Sequence, residues 1–288
     1  QILSSNLVSN GDFSQEGAQE VSNGSFSQEG SEQVTNGDFA TDSDWTISGG
    51  NAQISNGKLN LTNAVIYGTS VNNSATVVSG KTYLVKYTIS DYVGGSSQIR
   101  LGSQFGTSRN SNGTFSEYIV ANDTAIRIYS SSSNTTLSID NVSVKEVGQD
   151  WNLNNGAAIA EDKATIIGDG SVFGYVEQLS TFVSGKKYKV TLDAIINSGG
   201  GLVVKYALGF SANIGSITTS GSYTFYYTAG VSGSIIIGRS TGGVAYNLSV
   251  TNISVKEVGQ DWTLGGSGSN TASIGSNSAT ITSVDGNS

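Results

Sequence analysis

Apolar and polar residues alternate along much of this chain with the period of two that is typical of β-strands. Tyr83, Val85, Tyr87 and Ile89 fall on one face of such a strand, and the segment that begins at Tyr188 repeats the pattern. One buried face and one solvated face are typical of antiparallel sheets. These tyrosines are therefore predicted to pack in a hydrophobic core.

A second strand pattern changes phase part-way along its length. The apolar series that ends at Ile139 and the series that begins at Val142 are shifted by one residue. Such a shift turns side chains to the opposite face unless the backbone absorbs the additional residue. We therefore predict a β-bulge at Asp140–Asn141 and, in a second copy of the pattern, at Thr251–Asn252.

A long repeat divides the chain into modules. The octapeptide VKEVGQDW occurs at Val144–Trp151 and again at Val255–Trp262, and Trp45 opens an earlier copy. Consecutive modules have almost no linker between them, so we expect them to act as rigid spacers. The predicted divisions are N-terminal repeats in 1–33, module 1 in 34–147, module 2 in 148–258 and the start of an incomplete third module in 259–288.

A shorter repeat of 13 residues occupies the N-terminal region. Its first period starts at Val8, its second at Val21 and its third at Val34, and each contains an Asn-Gly pair followed two positions later by Phe. An odd step would place successive valines on opposite faces of one continuous strand, and Asn-Gly pairs favour turns. Two interpretations stay open: strands donated to a module of the same or another chain, and a flexible linker.

The residue types that the sequence lacks limit its chemistry. The 288 residues include no His, Cys, Met or Pro, which removes thiolate nucleophiles, disulfides, Cys-based zinc sites and Ser-His-Asp triads. A formal net charge of −8 disfavours nucleic acid and anionic membranes, and no apolar run approaches the roughly 20 residues of a membrane helix. We expect a protein that is not an enzyme, requires no cofactor, binds no nucleic acid and inserts into no membrane.

Strand and turn spacing indicates the fold class. Many short strands separated by Gly, Asn and Ser turns, in modules of about 110 residues, predict an all-β fold of tandem antiparallel β-sandwich modules with jelly-roll topology. The short N-terminal repeats precede these modules.

Three motifs carry a family resemblance: Asn36–Phe39 with Trp45, the central Ser79–Tyr83 and the closing Ser138–Val144. In these motifs the chain resembles the jelly-roll carbohydrate-binding modules of the family 4, 9 and 22 type, in the tandem form found in fibre and other virion proteins of phages of Bacteroidetes and marine bacteria. The resemblance implies a virion or extracellular surface location, other virion or fibre subunits as partners, and a homo-oligomer, for which a trimer is the common form.

The resemblance also implies a structural calcium ion between the opening and closing strands. Carried over to this chain, its ligands are Asp38 and Asp140, whose oxygens suit a hard cation. Module 2 departs from the pattern, because Thr251 stands where module 1 has Asp140. The alternative interpretation is a turn residue at Asp38 and a solvent-facing carboxylate at Asp140.

Sugar binding by such modules uses exposed aromatic rings that stack on pyranose faces. The three tryptophans occupy equivalent places in first strands and are expected to be core anchors. The remaining aromatic candidates for carbohydrate binding are Tyr67, Tyr92, Tyr118 and Tyr129 in module 1 and Phe173, Tyr175, Tyr206 and Phe210 in module 2.

Together these features predict a structural or adhesive virion protein, a phage fibre or a capsid or tail decoration protein, whose modules act as spacers and contact cell-surface glycans. Two alternatives stay open. One is a carbohydrate-binding appendage of a larger secreted enzyme, and the other is a bacterial surface fibre or adhesin that assembles by strand exchange.

Overall fold

The computed structural model of the chain describes residues 8–206, 212–263, 271–275 and 277–282. Every regular element in this part of the chain is a β-strand, which confirms the predicted all-β fold. None of the described segments is a helix with the length and hydropathy that crossing a membrane requires. The described residues form two compact units. The module 1 unit contains 27–149 and 158–160, and the module 2 unit contains the described parts of 1–26, 150–157 and 161–288.

Each N-terminal period begins with a tight turn at its Asn-Gly pair. The backbone amides of Phe13, Phe26 and Phe39 donate to the carbonyl oxygen of the Asn three residues earlier, at 3.1, 3.0 and 3.2 Å. After this turn the first period continues into strand β1 (Glu16–Gln19) and the second into strand β2 (Glu29–Glu32). These strands are too short to bury a core of their own, so they depend on partners elsewhere in the chain.

Module 1 is a sandwich of two antiparallel sheets. Its strands are β3 (Trp45–Ser48), β4 (Ala52–Ser55), β5 (Lys58–Ala64), β6 (Ser70–Thr76), β7 (Thr82–Gly94), β8 (Ser97–Leu101), β9 (Gln104–Phe105), β10 (Gly113–Val120), β11 (Ala125–Ser130) and β12 (Thr135–Val147). One sheet has the order β10-β7-β12-β5-β4 and the other the order β3-β6-β11-β8-β9. This is the strand order of a jelly roll, in which the closing strand lies between an early strand and a central one.

The core of module 1 lies between these two sheets. Tyr83, Val85, Tyr87 and Ile89 of β7 are all buried there, as predicted, and Tyr188 is buried in module 2. Alternation of side chains across the strands therefore places the apolar face of each sheet inward and leaves the polar face for solvent or ligands.

Module 2 repeats this architecture. Its strands are β13 (Asn152–Asn154), β14 (Ala157–Ala160), β15 (Lys163–Gly168), β16 (Tyr175–Phe182), β17 (Lys187–Ser198), β18 (Leu202–Tyr206), β19 (Ala212–Ile217), β20 (Gly221–Thr228), β21 (Gly233–Arg239) and β22 (Tyr246–Val258). One sheet contains the order β15-β22-β17-β20, and the other has the order β13-β16-β21-β18-β19. Apart from β14, whose residues 158–160 belong to the module 1 unit, these strand orders match those of module 1.

Both closing strands contain the predicted β-bulge. In module 1, β12 places Asn141 and Val142 opposite a single residue of β7. In module 2, β22 places Asn252 and Ile253 opposite a single residue of β17. The backbone φ is 53° at Asn141 and 52° at Asn252, a left-handed conformation that Asn tolerates better than most residues. The additional residue explains the phase shift of the apolar pattern.

The N-terminal strands add to these closing strands. Strand β1 pairs antiparallel with β22 of module 2, where Glu16 lies opposite Val258. Strand β2 pairs antiparallel with β12 of module 1, where Glu29 lies opposite Val147. The periods therefore share sheets with the modules, and residues 8–26 belong to the module 2 unit while residues 27–33 belong to the module 1 unit.

After module 2 the structure describes a single hairpin of strands β23 (Thr271–Gly275) and β24 (Ser278–Thr282). Ile274 of this hairpin is buried and contacts the backbone at Gly259, where a side chain would collide with it.

Candidate functional site

Module 1 exposes a cluster of aromatic rings on the outer face of the β3-β6-β11-β8-β9 sheet. The ring centroid of Tyr67 lies 6.0 Å from that of Phe105 and 6.5 Å from that of Tyr129. The guanidinium carbon of Arg100 lies 4.5 Å from the Phe105 centroid and 5.5 Å from the Tyr129 centroid. Tyr67 is 57% exposed and Phe105 is 43% exposed. These four residues are called the aromatic cluster below.

Strand register explains why the cluster faces outward. Ile99 and Ile128 lie opposite each other on β8 and β11, and both are buried in the core. Successive side chains of a strand point to opposite faces, so Arg100 and Tyr129, the next residues of the two strands, point away from the core. Phe105 joins them from the adjoining two-residue strand β9.

The backbone at Tyr67 is held in an uncommon conformation. Its φ is 52°, and its amide donates to the carbonyl oxygen of Ser130 at 3.0 Å. A bulky residue with positive φ is rare, because Cβ crowds the backbone. Such strain is concentrated at ligand sites, so the exposure of this ring fits a functional position.

Polar groups lie beside the rings on the same face. Arg127 lies opposite both Asn72 and Arg100 in the sheet. Its Nε donates to Asn72 Oδ1 at 2.8 Å, and its Nη1 donates to the carbonyl oxygen of Gly102 at 3.4 Å. The sheet thus presents ring faces next to guanidinium and amide groups, the combination that binds polar ligands with apolar faces.

An open groove of about 510 Å³ adjoins the cluster at Phe105 and is also lined by Glu117 and Tyr118. Glu117 Oε2 accepts from the Thr107 amide at 2.6 Å. Burial, together with the nearby Glu117 carboxylate, raises the pKa of Tyr87 to about 12, which keeps this core phenol neutral. The groove therefore places the predicted residue Tyr118 and the carboxylate of Glu117, a hydrogen-bond acceptor, beside the aromatic cluster.

Module 2 has a smaller aromatic face on the equivalent sheet. The rings of Phe173 and Tyr175 lie 5.3 Å apart, and the Lys205 ammonium nitrogen lies 5.8 Å from the Phe173 centroid. Desolvation raises the pKa of Tyr175, with a further contribution from the Glu177 carboxylate. Each module therefore places a cation from the fourth strand of this sheet over aromatic rings, Arg100 from β8 in module 1 and Lys205 from β18 in module 2.

The other predicted sugar-binding residues lie elsewhere. Tyr92 is half-buried, packs against the module 1 core and donates to the carbonyl oxygen of Gly95 at 3.1 Å. Tyr206 is only 7% exposed and packs against Tyr227 with centroids 4.7 Å apart, so it is a core residue of module 2. Phe210 lies outside the described residues.

The two predicted calcium ligands make local hydrogen bonds. Asp38 Oδ1 accepts from the Ala40 amide at 3.3 Å, and Asp140 Oδ1 accepts from the Asn141 amide at 2.6 Å. Across the described segments there is no group of three or more acidic side chains that could hold a metal ion. Calcium at Asp38 and Asp140 stays a prediction.

A second candidate site is the surface that receives the N-terminal periods, and its central contact is a Phe-Trp pair. The ring centroids are 5.0 Å apart for Phe39–Trp45, 5.1 Å for Phe26–Trp151 and 5.0 Å for Phe13–Trp262. The third period thus contacts Trp45, the second period contacts Trp151 and the first period contacts Trp262. The periods meet the tryptophans in reverse order along the chain.

Each pair is accompanied by the same hydrogen bond. The indole Nε1 donates to the Asn carbonyl of the period, at 2.8 Å in Trp45–Asn36, 3.2 Å in Trp151–Asn23 and 3.0 Å in Trp262–Asn10. Trp45 and Trp151 are buried as predicted, whereas Trp262 is 39% exposed. Each tryptophan therefore acts as the receptor for one period.

Charged side chains fix the strands that follow the turns. Glu16 lies 2.6 Å from Lys189 and 2.9 Å from Lys256, and Glu29 lies 2.8 Å from Lys86 and 3.1 Å from Lys145. Hydrogen bonds from these lysines hold the pKa of both glutamates below the ordinary value. Each glutamate bridges the closing strand of a module and its neighbouring strand.

A scan against protein-family models finds no matching family, and a comparison with curated proteins finds no match. Among solved structures, the chain is similar to the tandem CBM22-1–CBM22-2 domain of Paenibacillus barcinonensis Xyn10C, with 8% identity, a TM-score of 0.29, and coverage of 80% of this chain and 98% of that one. It is also similar to a Paenibacillus xanthan lyase, with 17% identity, a TM-score of 0.26, and coverage of 80% of this chain and 25% of that one.

A further similar structure is the triple jelly-roll protein of an archaeal virus turret, with 17% identity, a TM-score of 0.22, and coverage of 80% of this chain and 59% of that one. At TM-scores this low, these likenesses carry no conclusion about function. The assignment of antiparallel sandwich modules rests on the strand pairing within this chain.

Proposed function

We propose that this chain is a non-enzymatic structural and adhesive protein of a virion or other extracellular surface, and that its modules bind glycans through exposed aromatic rings. The observation that carries the proposal is the aromatic cluster of module 1, in which Phe105 and Tyr129 lie against the Arg100 guanidinium and Tyr67 lies against both rings. Ring faces bind the apolar faces of pyranoses, and neighbouring charged and amide groups bind their hydroxyls.

The composition supports a binding role over catalysis. The sequence has no His or Cys, which are the side chains most often used as general base and thiolate nucleophile. Repetition of the aromatic and cationic pair in module 2, at Phe173 and Lys205, supports glycan contact by more than one module. Multiple weak sites on one chain increase the overall affinity without new contacts.

A glycan array tests the adhesive part of the proposal. The full chain is screened, and the best glycan is titrated against the wild type, Tyr67→Ala, Phe105→Ala and the matched control Val93→Ala, whose side chain is 78% exposed on a different strand. The two ring variants are expected to weaken binding about tenfold, which corresponds to about 1.4 kcal/mol, while the control retains it. No glycan bound, or equal loss in the control, contradicts the proposal.

Immunogold electron microscopy tests the location. An antibody against module 1 is expected to mark an appendage or the surface of the particle from which the protein comes. Labelling confined to the interior of cells would contradict a virion or surface role. A catalytic activity that survives purification of this chain alone would contradict the non-enzymatic role.

A further inference from the structure

The surface of module 2 around Trp151 and strand β22 is called the module 2 receptor below. It is covered by a segment that is remote in sequence. Trp151 Nε1 donates to the carbonyl oxygen of Asn23, which lies 128 positions earlier, and Val21, Phe26 and Trp151 are all buried. Strand β22 pairs with β15 only along Tyr246–Val250, and β1 covers its backbone farther along, at Lys256–Val258. Without residues 16–26, module 2 would expose both an aromatic core surface and an open strand edge.

The N-terminal segments, called donor segments below, make matching contacts with the two modules. The Oε1 atom of Gln19 accepts from the Val255 amide at 2.7 Å, and the Oε1 atom of Glu32, one period later, accepts from the Val144 amide at 2.7 Å. The carbonyl oxygen of Gly24 accepts from Ile253 at 2.9 Å, as that of Gly37 does from Val142 at 2.8 Å. A module therefore recognises the sequence pattern of a period, whichever chain carries it.

The two receptors differ in how their donor is tethered. The β2 strand leads directly into the third period, and Phe39 of that period contacts Trp45 only a few residues later, so this donor is held to module 1 locally. Residues 16–26 reach module 2 only through the whole of the module 1 unit. Residues 27 and 28, where the chain passes between the units, belong to no regular element.

We propose that copies of this chain join by exchanging residues 16–26, each copy completing the module 2 receptor of another. The contacts are the same within one chain and between chains, so the balance depends only on the entropy of closing a long connection, which grows slowly with length, against the concentration of neighbouring copies. Exchange of an identical element is a low-cost route to oligomers. The occupant of the receptor is thus a second copy of this chain.

Cysteine pairing tests the exchange in a chain that has no cysteine of its own. A Cβ at Gly17 would lie 3.3 Å from the Glu257 Cβ in module 2, and one at Gly30 would lie 3.5 Å from the Glu146 Cβ in module 1. Both are close to the separation of about 3.8 Å in disulfides. The double variants G17C/E257C and G30C/E146C report whether each donor occupies its receptor.

The decisive experiment refolds equal amounts of full-length G17C and E257C together at high protein concentration under oxidising conditions. We expect a disulfide-linked heterodimer in at least tenfold greater yield than from G30C refolded with E146C, because the second donor is tethered locally. Excess synthetic peptide with the sequence of residues 16–26 should lower the yield severalfold by occupying the module 2 receptors.

Two outcomes overturn the proposal. One is the absence of a G17C–E257C heterodimer while the G17C/E257C double variant closes within a single chain, since exchange would then not occur. The other is an equal heterodimer yield from both pairs, which would indicate unspecific association. Neither outcome depends on glycan binding, so failure of this proposal and failure of the proposed function are distinguishable.

Discussion

Phe26 lies against Trp151 with ring centroids 5.1 Å apart, although the first residue belongs to the N-terminal repeats and the second lies immediately before strand β13 of module 2. The pair is fully enclosed, with Phe26 only 1% exposed. A short repeat that contributes such a contact is part of the module, because its removal would leave a cavity at the tryptophan.

Truncation of this ring should destabilise module 2 strongly. Phe26→Ala is expected to lower the free energy of unfolding of the module 2 unit by about 3–5 kcal/mol, the usual range for a buried Phe. Phe13→Ala is the matched control, because Phe13 is half-buried against the more exposed Trp262, and its loss should be smaller. Urea unfolding followed by tryptophan fluorescence measures both variants, and equal losses would contradict the assignment.

The glycines of the three periods should differ sharply in tolerance. A Cβ at Gly24 would overlap the carbonyl oxygen of Ile253, and one at Gly37 would overlap that of Val142, whereas a Cβ at Gly11 meets only Val8 at 3.6 Å. Gly24→Ala and Gly37→Ala are therefore expected to lower the melting temperature by several degrees, and Gly11→Ala to leave it unchanged. Calorimetry measures the melting temperatures of the three variants. Equal changes in all three would contradict the close approach of Gly24 and Gly37 to the closing strands.

Stability should fall in acid through Glu16 and Glu29. Their pKa values in the folded chain lie below the ordinary 4.5, chiefly through hydrogen bonds from lysines. A lowered folded pKa contributes stability that is present above the unfolded pKa and is lost as the pH falls through the folded pKa. The Glu16→Gln, Glu29→Gln double variant should therefore show a smaller loss of stability as the pH falls below about 4.5.

The control for this pH effect is Glu161→Gln. Glu161 pairs with Lys163 at 3.2 Å, but its side chain is 80% exposed, and exposed ion pairs contribute little. Thermal melts between pH 3 and pH 7 should be indistinguishable between this variant and the wild type. An identical pH profile for the double variant and the wild type would contradict the bridging role of Glu16 and Glu29.

The bulge residues should prefer glycine to branched side chains. Asn141 adopts a φ of 53°, which costs most residues about 1–2 kcal/mol and glycine almost nothing. Asn141→Gly is expected to keep the stability of module 1, and Asn141→Val to reduce it by about that amount. Denaturant unfolding measures the two, and a Val variant as stable as the Gly variant would contradict the left-handed conformation.

Periodicity predicted the parts of this fold that depend on local spacing. The alternation around Tyr83 and Tyr87, and the phase shift between Ile139 and Val142, translate directly into buried faces and bulges because the strand period is fixed at two. The reverse pairing of periods with tryptophans could not be read in this way. Three nearly identical donors face three similar receptors, and sequence similarity alone does not say which meets which.

The aromatic cluster was only partly predictable for a related reason. Tyr67 and Tyr129 were candidates, but Arg100 reaches them from strand β8 and Phe105 from strand β9. Strand β9 is two residues long, too short for any alternation to show which way Phe105 points. Tyr206 looked equivalent to these surface residues, but the register of β18 directs it into the core.

The reverse order of pairing has a consequence for synthesis on the ribosome. The third period meets Trp45 almost as soon as both are translated, but the second must wait for Trp151 and the first for Trp262. At about 5–20 residues per second, the second period waits on the order of ten seconds, and the first about twice as long. The earliest of the three periods is thus the last to reach its tryptophan, and nascent chains on one polysome have time to exchange such segments.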